Sequence, residues 1–185
     1  MDHLARLAKF VRRHAFIVDV LQDLVFCAVF GVVAIVTHLI TPFYMYIPHE
    51  QDNVNVAFPH TTGTIPSWLL PLIAYIPPLV VIALFALLKR SYVFAAVSFM
   101  CLLSSALACD AITNLFKIVA GRPRPDFYDR LAQDPNDVDD AYKSFPSGHA
   151  SIAFNGLAFC SLLLAGQLKV AARSTAMWRC LVDGR

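Results

Sequence analysis

Four stretches of this chain are long and apolar enough to cross a bilayer, and inside hydrocarbon that leaves little choice of fold. A core of about 30 Å takes roughly 20 apolar residues as a helix, because no water is present to satisfy an unpaired backbone N–H or C=O. The first stretch runs through Leu24–Ile40 and extends back to Phe16, for an expected span over 16–40; the others are expected over 68–88, 92–116 and 151–168. Pro71, Pro77 and Pro78 fall in the second and predict a kink there. A run over Ala176–Val182 is too short to span and reads as the start of a helix that the chain does not complete. With 58% hydrophobic and 15% charged residues, the chain lies far from the roughly 25% charge of soluble domains. The expected fold is all-α, a polytopic membrane helical bundle, with residues 1–185 forming a single domain.

Charge placement sets the expected orientation. Arg6, Lys9, Arg12 and Arg13 precede the first span, Lys89 and Arg90 join the second to the third, and Lys169, Arg173 and Arg179 follow the fourth. The connection Thr41–Pro66 has neither Lys nor Arg. The positive-inside rule then puts the N-terminus in the cytoplasm and the connections 41–66 and 117–150 on the lumenal or extracellular side. Asp19 and Asp23 ahead of the first apolar run, with no small-residue cleavage site after it, favour a retained helix over a removed signal peptide. A net charge of +2, spread along the chain, gives no footprint for nucleic acid. Five cysteines without CxxC spacing suggest neither a disulfide framework nor a zinc site, and they read as small buried apolar residues.

The connection 117–150 departs from the charge rule, since it carries Lys117, Arg122, Arg124, Arg130 and Lys143 against six aspartates. Within "KIVAGRPRPDF", Lys117 supplies a point charge and Arg124 a planar fork, while Pro123 and Pro125 restrict the backbone; together these suit a phosphate. A snorkelling lysine beside a solvated basic turn is the plainer reading of the same residues. In "YKSFPSGHASIAF", Pro146, Ser147, Gly148 and His149 lead into an apolar segment. The glycine lets backbone N–H groups approach a ligand, the serine adds a hydroxyl, and a helix start favours negative charge. His149 can donate a proton near neutral pH, or simply cap a helix.

At these residues the chain resembles the type 2 phosphatidic acid phosphatase (PAP2) superfamily of integral membrane lipid phosphate phosphatases. Lys117, Arg124 and Pro125 match its first motif, KxxxxxxRP, and Pro146 to His149 match its second, PSGH. The resemblance covers roughly 16–167, the front part of a six-span fold. It implies that Lys117, Arg124, Ser147 and Gly148 hold the phosphoryl group of a phospholipid substrate and that His149 is the catalytic acid for the leaving group. It also implies a metal-independent phospho-histidine mechanism with no cofactor, acting on phosphatidate, lysophosphatidate or diacylglycerol pyrophosphate. The family's third motif, SRxxxxxHxxxD, supplies the nucleophilic histidine, and it has no match here; His149 is the last histidine of the sequence. Removing a nucleophile from a concerted catalytic unit costs on the order of 10⁶-fold. The 185 residues are therefore expected to be a truncated form, inactive alone, and the alternative is a non-catalytic relative that binds lipid phosphate or a full-length partner. A homo-oligomer is left open. A soluble vanadate-dependent haloperoxidase has a similar site, but the four membrane-length segments argue against it.

Other residues carry secondary expectations. Asp110, Asn114 and Lys117 share one helical face and form a polar stripe toward the site, as support for Lys117 or as interhelical packing. His38 and Thr37 read as packing polars; His49, Glu50 and His60 lack metal-ligand spacing. Phe43, Tyr44, Tyr46 and Trp68 read as an interfacial aromatic belt, and Leu4, Leu7, Ala8 and Val11 as the apolar face of an interfacial helix. The four-span reading predicts that the chain stays with the membrane pellet after an alkaline carbonate wash, followed by immunoblot. Release into the supernatant would overturn it.

Overall fold

The computed structural model describes residues 2–47, 54–61 and 63–169, and within these the side chains of residues 18, 20–47, 55–61 and 63–169. Within them the chain is all-α. Helix α1 covers Asp2–Leu39, and a single 3₁₀ turn follows at Val54–Val56. Helices α2, Leu69–Lys89, and α3, Tyr92–Ala120, come next. Two short helices, α4 over Phe127–Gln133 and α5 over Val138–Ala141, lead to α6 over Gly148–Gln167. Four segments have membrane-spanning length and apolarity: Val20–Leu39, Leu69–Lys89, Tyr92–Ala120 and Gly148–Gln167.

The boundaries differ from the sequence reading where they matter most. Helix α1 is continuous through the expected first span, and its described apolar part runs from Val20 to Leu39. Helix α3 continues to Ala120, so Lys117 stands on its last turn instead of opening a loop. Helix α6 starts at Gly148 and not at Ser151, so Gly148 and His149 form its first turn. Apolarity marks where a helix enters hydrocarbon; caps decide where it begins. Ser147 is that cap, and the Ala150 amide donates to its Oγ at 3.3 Å. Helix α2 runs through Pro77 and Pro78 without interruption, and Pro71 sits in its first turn, where its missing N–H removes no helical bond. The Ala176–Val182 run lies outside the described residues.

Helix α3 is the centre of the bundle: it packs on α1, α2 and α6, while α2 and α6 also pair with each other. At the α2–α6 crossing the backbones nearly touch, and a Cβ on Gly156 would lie 2.2 Å from the Ala74 carbonyl oxygen. A polar seam crosses three helices there, since Ser105 Oγ on α3 donates to Asn155 Oδ1 at 2.5 Å and Asn155 Nδ2 donates to Tyr75 OH at 3.2 Å. Large apolar side chains such as Val25, Val32, Ile35, Leu72 and Ile76 point outward, and hydrocarbon is the solvent that such a surface requires. The chain is an integral membrane protein.

At one end of the bundle the segment after α1 is pinned to the end of α3. The Phe43 amide donates to the Ile118 carbonyl at 2.9 Å, and the Met45 amide to that of Gly121 at 3.4 Å. Gly121 ends α3 in the left-handed region with φ 51°, and a Cβ there would fall 1.8 Å from the Phe43 carbonyl oxygen. Above this junction Val56, Phe127 and Ala141 form a small buried cluster with Tyr142 against it, and the Phe58 amide donates to the Pro125 carbonyl at 3.0 Å. The connections 41–66 and 121–147 thus pack together at one end, with Lys89 and Arg90 at the other. The close α2–α6 crossing predicts that Gly156→Ala lowers the thermal midpoint in detergent by an overpacking cost of about 1–3 kcal/mol. Gly166, where nothing lies within 4 Å of an added Cβ, accepts alanine without loss; equal midpoints for the two variants would refute this account.

Candidate active site

A cleft of about 1140 Å³ opens between the packed connections and the ends of α3 and α6. The residues of the two motifs line it, Lys117, Arg124, Pro125, Pro146, Ser147, Gly148 and His149, while Pro123 does not. Lys117 reaches the cleft from the end of α3, and its Nζ lies 3.2 Å from where a Gly148 Cβ would stand. A side chain at position 148 would press against that ammonium group. Ser147 caps α6 and lines the cleft, so the helix N-terminus, with its unpaired first amides, lies at the cleft wall. His149 Nε2 lies 3.2 Å from the Ile65 carbonyl oxygen. A carbonyl only accepts, so Nε2 carries the proton of that bond and Nδ1 is left to exchange one.

Arg124 is held firmly. Its Nε donates to the Asp140 carbonyl at 2.8 Å, its Nη2 donates to Asp140 Oδ1 at 2.9 Å, and its own amide donates to the Ala141 carbonyl at 2.8 Å. Behind it stands Arg130, whose side chain is 19% exposed and whose Nη1 and Nη2 lie 3.0–3.3 Å from Asp137, Asp140 and Asp126. Asp126 is also bonded to the His60 imidazole, and Asp129 Oδ2 accepts from the His60 amide at 2.5 Å. One ionic chain thus runs from the 41–66 connection through α4 and α5 to Arg124. In the sequence these aspartates read only as charge balance. The single local signal was the Asp126 and Arg130 pair at i, i+4; the rest joins residues that the sequence separates.

Several expectations take a different form. His38 is not merely packed: its Nε2 lies 3.2 Å from Asp110 Oδ2 and 2.9 Å from Asn114 Nδ2, and Asn114 Nδ2 donates to Asp110 Oδ1 at 3.0 Å. The polar stripe on α3 is bound across to α1. Thr37 does bond within its own helix, to the Ala34 carbonyl at 2.8 Å. Tyr44 belongs to the loop cluster, with its hydroxyl donating to Asp139 at 2.5 Å and its ring 4.9 Å from that of Tyr142; Tyr46 and Trp68 remain exposed, as an interfacial belt requires. His60 is taken up by Asp126, and His49 and Glu50 lie outside the described residues. Among the described residues no three His, Cys, Asp or Glu side chains gather as a metal site would need. Lys143, Leu70 and Ile152 also line the cleft, and no motif pointed to them.

Burial opposes the ionised form of Asp126, but bonding to His60, its own backbone and the charge of Arg130 outweigh it and hold this carboxyl below its usual value of 3.8. A depressed folded pKa contributes stability above the unfolded value and loses it as pH falls through the folded one. Amide exchange in residues 127–142 is accordingly expected to stay protected down to about pH 4 and to open below it. In Asp126→Asn the protection is weaker at pH 7 and flat across this range. A wild-type profile equally flat would contradict the assignment.

Residues 98–182 match the PAP2 superfamily. Lipid phosphate phosphatase 1 of Arabidopsis thaliana is 34% identical over 165 residues, which is 80% of this chain and 50% of that protein. Lipid phosphate phosphatase 2 of the same organism is 34% identical over 156 residues, covering 75% and 53%. A probable diacylglycerol pyrophosphate phosphatase of Schizosaccharomyces pombe is 32% identical over 151 residues, covering 71% and 54%. The chain spans about half the length of these curated relatives. No solved structure matches it.

Proposed function

Because the chain belongs to the PAP2 superfamily, we propose that its cleft takes the phosphate headgroup of a membrane lipid, as the first half of a lipid phosphate phosphatase site. The observation that carries this is the convergence of Lys117, Arg124 and the Ser147–Gly148 turn on one cleft at a bundle end, beside an apolar wall that includes Leu70 and Ile152. Lys117 and Arg124 neutralise the phosphoryl oxygens, and the α6 amides add donors without a change of charge. His149 passes its Nδ1 proton to the leaving alkoxide while the Ile65 carbonyl holds the other nitrogen. The apolar wall keeps the acyl chains in lipid while the headgroup enters. Phosphatidate and diacylglycerol pyrophosphate both fit this chemistry. By the basic-residue bias the cleft faces the lumen or the outside and the N-terminus the cytoplasm.

Hydrolysis through a phospho-histidine needs a second histidine, and none follows His149. In this reading Lys117, Arg124 and the 146–149 turn supply the headgroup-binding part of the site, and the resemblance places the nucleophile in its third motif. Two measurements decide the matter. In vesicles doped with phosphatidate, Lys117→Ala and Arg124→Ala each weaken binding about 10–100-fold, as loss of a charge-assisted contact implies; unchanged binding in both would sink the assignment. Phosphate release by these residues in EDTA would place the nucleophile among them instead of in the third motif. In a chain that continues into an S-R-x5-H-x3-D stretch, His149→Ala abolishes turnover.

A further inference from the structure

Asp140 approaches Arg124 along one edge only. Its carbonyl accepts from Nε at 2.8 Å, and its carboxylate oxygens lie 2.9 and 2.8 Å from Nη2. A guanidinium presents five N–H donors in one plane, with Nε and the near hydrogen of Nη2 along the side and Nη1 with the far hydrogen of Nη2 at the end. The contacts take the side. No hydrogen bond to Nη1 is made among the described residues, and Arg124 lines the cleft beside Lys117. We propose that Asp140 is the positioning residue of the phosphate site: by occupying the side edge of Arg124 it presents the end fork to a phosphoryl group. The inference rests on the phosphate-binding reading above and adds to it the group that orients its arginine.

A carboxylate so near a binding arginine would also cancel part of its pull on phosphate. Arg130 offsets that, because its Nη1 lies 3.3 Å from Asp140 Oδ2, so the carboxylate is shared between two cations. Asp137 and Asp126 in turn hold Arg130 and never touch Arg124. Main chain and side chain act in the same sense, since the Arg124 amide is bound to the carbonyl next to Asp140. Freed from this grip, Arg124 would have to give up rotamer freedom on each binding event, and its fork would meet the phosphate in many orientations.

The competing role is structural, with Asp140 only fastening α5 to α4. Titration of the whole chain in nanodiscs with inorganic orthovanadate, read by calorimetry, separates the two. Asp140→Ala is expected to weaken binding about tenfold in the wild-type background and to add nothing once Arg124→Ala is present, as two groups acting through one contact require. Asp137→Ala, which removes a different partner of Arg130, is expected to keep wild-type affinity while lowering the thermal midpoint. Should Asp140→Ala fail to fold, Asp140→Asn keeps the shape, loses the charge and is expected to weaken binding several-fold. Equal losses for Asp140→Ala and Asp137→Ala would make the role structural and overturn the proposal. A loss in Arg124→Ala without one in either Asp140 variant overturns it too, with phosphate binding intact. Wild type and Arg124→Ala binding vanadate alike removes the phosphate reading itself, and the proposal with it.

Discussion

Arg130 meets three carboxylates, those of Asp126, Asp137 and Asp140, in a setting where most of its side chain is out of water. Burial works against its charge, and the three carboxylates more than offset it, so its pKa is raised and the cation persists. Its buried Nε has no partner among the described residues, a cost that the other contacts must cover. What they secure is the geometry of two helices of seven and four residues. Helices so short cannot hold themselves by their own backbone bonds. Tied through Arg130, they fix Arg124 on one side and reach His60 on the other.

The ionic cluster also gives a physical reason for the basic residues that set the 117–150 connection apart from the 41–66 connection. Arg124 and Arg130 are consumed in folding and lining the cleft, and Lys117 is already part of α3. The excess is largely a cluster of charges that neutralise one another. Membrane and site meet at Gly121, where α3 ends and the Phe43 backbone passes closer than any side chain would permit. On the other side of the cleft Ile65, just before α2, meets His149 Nε2 at 3.2 Å.

Within the bilayer, polar groups pair across helices instead of facing lipid singly. Ser105, Asn155 and Tyr75 form one seam, and Asp110, Asn114 and His38 another. Both involve α3, in keeping with its central place. The first seam joins residues no motif would have linked; the second was half visible, since the i, i+4 spacing of Asp110 and Asn114 put them on one face while His38 lay 72 residues away from Asp110.

The sequence by itself determined the fold class and the motif residues. Length and apolarity set the four spans because hydrocarbon tolerates no unpaired backbone, and the KxxxxxxRP and PSGH strings are contiguous, so no partner far along the chain is needed to see them. Only the tertiary structure decided that Asp140 grips Arg124, that Arg130 is a partly buried link between three carboxylates and not a free surface charge, and that Lys117 lies close against Gly148. Those contacts join residues from separate helices and turns, and at a solvated loop any aspartate can balance any arginine. Which pairs form depends on where the backbone junctions at Gly121 and Ser147 aim the chain, and that direction is a property of the folded bundle, not of residue spacing.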